Sequence, residues 1–259
     1  ATRYNVVCPL FMQKNTSSTL AREDNLYTSM QDLASVVIVA AGSSRRMGRD
    51  KLWLPLAGRI TLAHTINVFQ SSPLIDKIIL VSSSERQADI GQLCQQERWH
   101  KVAAVVVGGA RRQDSVRIGL DTLATLSPAC RWVLIHDGAR PFVTSTLLEA
   151  GLEAAQKYQA AVAAVPVKDT IKQVQDGIIC ATLDRSQLWA IQTPQVFSFP
   201  LIHQAHHSPI AQADVTDDAT LLELLGHHVA VFPGSYINIK ITTQEDLIFA
   251  EALLQGNLS

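Results

Sequence analysis

VVIVAAGSSRRMGRDKLWLPLAG, Val36 to Gly58, runs from an uninterrupted apolar segment into a loop of small residues, then two adjacent arginines and a lysine. Val36 to Ala40 is apolar at every position, which predicts a strand covered on both faces, as in a parallel sheet. Ala40, Ala41, Gly42, Ser43 and Ser44 leave backbone N–H groups unobstructed. Arg45, Arg46 and Lys51 can neutralise several negative charges, so a phosphate chain fits this loop. The P-loop pattern GxxxxGK[ST] does not occur, and GxGxxG is broken at Ser44. A plain strand-to-helix turn with solvated arginines is the alternative reading.

Outward from this stretch the chain alternates in type. Lys77 to Ser82, Ala103 to Val107, Trp132 to His136 and Ala160 to Pro166 read as further buried strands. Thr61 to Gln70, Ser84 to Glu97, Gln113 to Leu126 and Thr146 to Tyr158 have helical spacing between them. Such alternation implies an open α/β sheet with right-handed crossovers. After Pro166 the period changes to 2 around Asp176-Gly177, a hairpin signal because both residues tolerate positive φ. This segment, about 166–192, reads as a projecting β-arm, and an isolated two-stranded ribbon needs a partner, which suggests dimerisation through it. A short helix near Leu201 to His206, a helix Asp217 to Leu225 capped by Thr216, strands Val229 to Phe232 and Ile237 to Ile241, and a closing helix Gln244 to Leu254 complete the expectation. Residues 1–33 read as a poorly structured tail and 34–259 as one domain.

The 259 residues carry 22 Lys plus Arg against 23 Asp plus Glu, so no overall basic field draws the chain to nucleic acid or anionic lipid. The longest apolar runs are strand-length, which excludes a spanning helix from the reading. Cys8, Cys94, Cys130 and Cys180 lie far apart without a CxxC pair, which fits reduced thiols in a cytoplasmic setting. The tail has no signal-peptide core; were it a transit-peptide remnant, the setting would be the plastid stroma, although Glu23 and Asp24 depart from the acid-poor composition of such peptides.

Three further segments bear on chemistry. WVLIHDGARPF, Trp132 to Phe142, places Asp137 directly after a strand, where open α/β sheets bind ligands; one carboxylate there suits Mg²⁺ held together with substrate phosphates, or only a turn cap. Arg140 can face the same crevice. VVVGGARRQDSVRIGL, Val105 to Leu120, is strand, glycine turn and helix, with Ser115 near the helix start. NIKIT, Asn238 to Thr242, sets Lys240 opposite Ile239 and Ile241, aimed into a cleft or onto a solvated edge. His203, His206 and His207 have metal-like spacing, but no carboxylate or cysteine pattern accompanies them, and a polar helix face is the simpler reading.

Taken in order, AAGSSRRMGRDK, GGARRQDSV, IHDGARP, VKDT, LDRSQLWAIQTPQ, DVTDDA and NIKIT resemble the 2-C-methyl-D-erythritol 4-phosphate cytidylyltransferases of non-mevalonate isoprenoid biosynthesis. The resemblance implies a Rossmann-like, mostly parallel sheet of nucleotidyltransferase type. It implies cytidylyl transfer from CTP to methylerythritol phosphate, with Mg²⁺ present and pyrophosphate released. By the same resemblance Arg46, Lys51 and Lys240 are the catalytic cations, and Ala40, Ala41, Gly42, Gly109, Ser115 and Gly138 bind the nucleotide. Asp137, Arg140, Thr193 and Thr216 match the acceptor side and Asp137 the metal position. Thr170 and Arg185, on the arm, match residues that reach the other subunit of a homodimer. Ser44, Asp50 and Ala110 depart from the family pattern. A ribitol 5-phosphate cytidylyltransferase, or a nucleotide sensor without catalysis, would share the nucleotide half.

Overall fold

The computed structural model describes residues 33–42 and 50–256. The expected tail and the loop with Ser44, Arg45 and Arg46 therefore lie outside the described residues. In chain order the elements are β1 (Ala34–Ala40), β2 (Pro55–Leu56), β3 (Arg59–Ile60), α1 (Thr61–Ser71), β4 (Ile75–Ser82), α2 (Gln87–Gln96), β5 (Val102–Val107), α3 (Arg112–Leu126) and β6 (Trp132–Asp137). They continue with α4 (Ser145–Tyr158), β7 (Ala160–Pro166), β8 (Lys172–Gln175), β9 (Ile178–Thr182), β10 (Trp189–Ser198), α5 (Phe199–His206), α6 (Ala219–Leu224), β11 (Ala230–Pro233) and α7 (Gln244–Leu254).

Seven strands form one sheet in the order β11-β7-β10-β6-β1-β4-β5. β1 pairs in parallel with β4 and β6, β4 with β5, and β7 with β11. Alternation along β1 sends Val36 and Ile38 to one face, where Leu62, Ile66 and Phe69 of α1 and Leu148 and Leu152 of α4 cover them. Val37 points to the other face, against Val116 and Leu120 of α3 and Ile202 of α5. Burial on both faces is the physical reason these strands are continuously apolar. Chain order reverses about β1, with β4 and β5 on one side and β6 on the other, so a crevice opens at the carboxyl ends of β1 and β6.

Besides the short, unanticipated pairing of β2 with β3, the structure departs from the sequence reading at three places. β10, ten residues long, inserts antiparallel between β6 and β7 where no strand was expected. Its partner β7 advances two residues, Ala164 to Val162, while β10 advances four, Ile191 to Gln195. Pro194, whose peptide bond with Thr193 is cis, sits inside this bulge, where no ladder donor is required. Ile237 to Ile241 is not a strand but a turn followed by an extended segment. Its Ile241 N–H donates to Ala139 O at 2.9 Å, and Ile239 and Ile241 pack with Leu56 and Leu247. Finally, α6 begins at Ala219, and the oxygen that receives its first-turn donors is Asp217 Oδ1, from Thr220 N and Oγ1, so Thr216 is not the cap.

β8 and β9 form the expected separate ribbon, turning at Asp176 (φ 50) and Gly177 (φ 79). Among the described residues, no helix is long and apolar enough to cross a membrane.

Candidate active site

Two hollows meet at the carboxyl edge of the sheet. The first, about 460 Å³, lies between the end of β1 (Ala40, Ala41, Gly42), Lys51, and the turn from β5 into α3 (Gly109, Ser115). The second, about 410 Å³, lies over the β10 bulge and is lined by Arg140, Thr193, Thr216 and Asp217. Arg112, Asp137 and Lys240 line both.

The glycine turn is built for close approach. A Cβ on Gly108 would stand 2.6 Å from both Ala41 Cβ and Ser115 Oγ, so only glycine lets this turn close onto the end of β1. Ser115 Oγ accepts the Gly109 N–H at 3.1 Å and donates to Arg111 O at 3.2 Å, so its hydroxyl shapes the turn. Lys51 is carried by a segment that Asp50 pins: Asp50 Oδ1 accepts Leu52 N–H at 3.2 Å and Oδ2 pairs with Arg86 Nε at 3.2 Å. Gly138 lines neither hollow. It is buried beneath them, donating its N–H to Val39 O at 2.9 Å, and a Cβ there would press on Leu62 and on that carbonyl.

Asp137 closes β6 and is the electrostatic centre. Lys240 Nζ lies 2.7 Å from its Oδ2, Arg112 Nε donates to its Oδ1 at 3.2 Å, and Arg140 Nε stands 4.0 Å away. Arg112 also donates through Nη1 to Asp218 Oδ2 at 2.7 Å, and Asp218 Oδ1 receives His206 Nε2–H at 3.2 Å. Burial alone would raise both carboxyl groups; Arg112 and Lys240 hold Asp137, and Arg112 with His206 holds Asp218, below the ordinary carboxylate range. Against burial, which disfavours its charge, the two carboxylates push Arg112 further up. In the first hollow Lys51, Arg111, Arg112 and Lys240 face Asp137, a surplus of positive charge for an anion, whereas in the second Arg112, Arg140 and Lys240 are set against Asp137, Asp217 and Glu223. Arg140 donates through Nη1 to Asn238 O at 2.7 Å, while its Nε is buried without a hydrogen-bond partner.

The backbone of Asp137 is fixed from beneath. Its N–H donates to Thr193 Oγ1 at 3.1 Å, and Thr193 Oγ1–H donates in turn to His136 Nδ1 at 3.0 Å. His136 Nε2–H donates to Arg140 O at 3.1 Å, so the neutral ring is fully used. Burial pulls the His136 pKa down from 6.5 to about 4. The unfolded chain therefore binds this proton at higher pH than the folded one, and stability falls as pH drops from 6.5 towards 4. Thermal midpoints measured across that window should fall for the native chain and flatten in His136→Gln; Asp137 and Asp218 act only at lower pH.

Of the residues singled out in the sequence, Ala40, Ala41, Gly42, Lys51, Gly109, Ser115, Asp137 and Lys240 meet at the first hollow, and Asp137, Arg140, Thr193, Thr216 and Lys240 at the second. Thr170 and Arg185 sit exposed on the arm, where Arg185 Nη1 donates to Lys168 O at 2.6 Å. Neither lines either hollow of its own chain. Arg46 falls outside the described residues. Sequence reasoning passed over Arg112, Asp218 and His136. The available signals were an arginine at the first turn of a helix behind a glycine pair, and the acid-rich DVTDDA.

Residues 34–256 match the family model described as 2-C-methyl-D-erythritol 4-phosphate cytidylyltransferase. A protein of that name from Dehalococcoides mccartyi strain 195 is 47% identical over 228 residues, covering 87% of this chain and 98% of that protein. One from Syntrophotalea carbinolica is 49% identical over 227 residues, 85% of this chain and 95% of the relative. Among solved structures, 4-diphosphocytidyl-2C-methyl-D-erythritol synthase from Anaerococcus prevotii superposes with TM-score 0.76 at 35% identity, over 87% of this chain and 99% of that one. The 2-C-methyl-D-erythritol 4-phosphate cytidylyltransferase from Thermus thermophilus gives 0.70 at 31%, over 85% and 98%. With a matching sheet, a cation-lined double hollow and relatives aligned from end to end, this chain belongs to the 2-C-methyl-D-erythritol 4-phosphate cytidylyltransferase family.

Proposed function

We propose that the chain transfers the cytidylyl group of CTP to 2-C-methyl-D-erythritol 4-phosphate, giving 4-diphosphocytidyl-2-C-methyl-D-erythritol and pyrophosphate. The observation that carries this reading is the sharing of Arg112, Asp137 and Lys240 by two adjoining hollows, one suited to a nucleotide and one to a smaller anion. CTP lies with its base by the Gly109 turn and its phosphates between Lys51 and Ala40, Ala41 and Gly42 at the end of β1, and Arg46 is assigned to them by its match to the family's catalytic arginine alone. The acceptor phosphate lies by Arg140, Thr193 and Thr216. An acceptor phosphate oxygen attacks the α-phosphorus, the new P–O bond forms, the bond to the bridging oxygen breaks, and pyrophosphate leaves. The attacking oxygen is already anionic, so no general base is required. The task of the protein is positioning and charge stabilisation, which Lys51, Lys240 and Arg112 supply.

Asp137 is the one carboxylate lining the first hollow among the described residues. A single carboxylate at this edge fits Mg²⁺, and Asp137 would be the protein ligand that holds such an ion beside the triphosphate. When bound, the ion neutralises triphosphate charge.

The arm completes the site as a homodimer contact. Val174, Ile178 and Ile179 on the ribbon are 55%, 70% and 61% exposed, apolar surface that a lone two-stranded ribbon does not ordinarily leave in water. Thr170 and Arg185, which line neither hollow of their own chain, then reach the acceptor hollow of the partner. Ile178→Asp is expected to shift the protein to monomer in sedimentation velocity and to depress turnover with it. A dimer of unchanged strength would remove the arm from the interface.

The test of the proposed reaction is pyrophosphate release from CTP and Mg²⁺ with each acceptor in turn. Methylerythritol phosphate should support turnover and ribitol 5-phosphate should not. The reverse preference would reassign the acceptor, and binding of CTP without turnover would make the chain a sensor.

A further inference from the structure

Away from both hollows, the packing of α3 on α5 brings Asp121 to His203 and His207, supplying the carboxylate that the local sequence lacks, from 82 residues before His203. Asp121 Oδ1 stands 3.1 Å from His203 Nε2 and 3.1 Å from His207 Nε2. One ligand atom from each of the three lies within 4.8 Å of the others. Two ligands of a tetrahedral ion with bonds of about 2.0–2.1 Å stand about 3.3 Å apart, so both observed separations are close to edges of such a polyhedron.

Tautomer chemistry adds an independent argument. His207 Nδ1 lies 2.8 Å from His203 O, a carbonyl that can only accept, so Nδ1 carries the hydrogen. In a neutral ring Nε2 then presents a lone pair to a carboxylate oxygen. Two lone pairs facing at this distance need a cation between them, either a second proton on the ring or a metal ion. A backbone carbonyl behind a ligating imidazole is the usual arrangement for fixing the ring of a metal-binding histidine. The His203 and His207 rings lie with centroids 4.4 Å apart, both edges towards Asp121, while Arg117 Nη1 lies 3.7 Å from the other carboxylate oxygen. All three ligating side chains are part-exposed, so an ion has an entry path.

We propose that Asp121, His203 and His207 bind a divalent transition ion of the Zn²⁺, Co²⁺ or Ni²⁺ class, with a remaining position open to water. Two imidazoles select against Mg²⁺ and Ca²⁺, which take oxygen ligands. The ion clips α3 to α5. These two helices hold Arg112 from either side: α3 carries it in its first turn, and α5 holds its partner Asp218 through His206. The clip stands apart from the reaction proposed above and does not depend on it.

The experiment uses the full chain stripped with chelator, titrated with Zn²⁺ by calorimetry and with Co²⁺ by visible absorption. One ion per chain, a cobalt spectrum of nitrogen and oxygen ligation without thiolate charge transfer, and a thermal midpoint raised by excess Zn²⁺ are expected. His203→Ala and His207→Ala should each weaken binding by more than about tenfold while retaining CTP turnover, which verifies folding. Asp121→Asn should do the same. Absence of saturable binding, or binding unchanged in the His203→Ala, His207→Ala double variant, overturns the assignment, as does a thiolate band pointing to the cysteines.

Discussion

Lys240→Ala is expected to lower kcat by about 10²–10³, the loss typical of removing one pre-positioned donor from developing charge. Lys240 sits where the two hollows join and reaches the site from an extended segment whose Ile241 N–H donates to Ala139 O in the turn after β6. Its head group now rests on Asp137, so it is already drawn to the junction. The side chain is 38% exposed, and Asp137 keeps Arg112 when it is removed. The thermal midpoint should therefore change little. A variant with normal kcat and unchanged KM for CTP would remove Lys240 from the mechanism.

Arg112→Ala is expected to act on stability as well as on rate. The guanidinium bridges Asp137 and the fully buried Asp218, and its removal leaves two desolvated carboxylates short of a counter-charge. Breaking a buried pair from one side costs about 3–5 kcal/mol, which in a chain of this size lowers the midpoint by roughly 6–20 °C. Arg112→Lys should recover only part of that loss, because a single ammonium cannot occupy both the Nε and Nη1 positions of the fork. Thermal melts of the two variants against the native chain measure this. Equal midpoints for all three would show that the network contributes nothing to folding.

The parallel half of the sheet was legible because strands buried on both faces have no polar side to obscure them, as in Val36–Ala40 and Trp132–His136. β10 was not legible. Its buried Gln192, Thr193 and Gln195 and its Pro194 break every strand pattern, and they are tolerated only because the fold satisfies them: Gln195 Oε1 accepts Asp218 N–H and its Nε2 donates to Asp217, while Gln192 Nε2 donates to Ser235 O. Ile237 to Ile241 shows the converse. Its period of 2 is real and places Ile239 and Ile241 on one side, yet it forms no ladder: Ile241 N–H bonds Ala139 O in the turn beyond β6, and Asn238 reaches β10 only through its side chain, Nδ2 to Thr193 O and Gln192 Oε1. Arg112 was invisible as a site residue because its partners lie 25 and 106 positions away, a separation only the folded chain closes. The same holds for Asp121 beside His203 and His207.

The most direct measurement is a crystal structure of the chain with Mg²⁺ and a CTP analogue whose α–β bridge cannot be cleaved. The base should lie against the Gly109 turn and the α-phosphate over Asp137, within about 4 Å of Lys240 Nζ, the reach of an ion pair, with its open face turned to Arg140. A nucleotide bound with its α-phosphate remote from Lys240 and Arg112, or bound outside the first hollow altogether, would contradict the account.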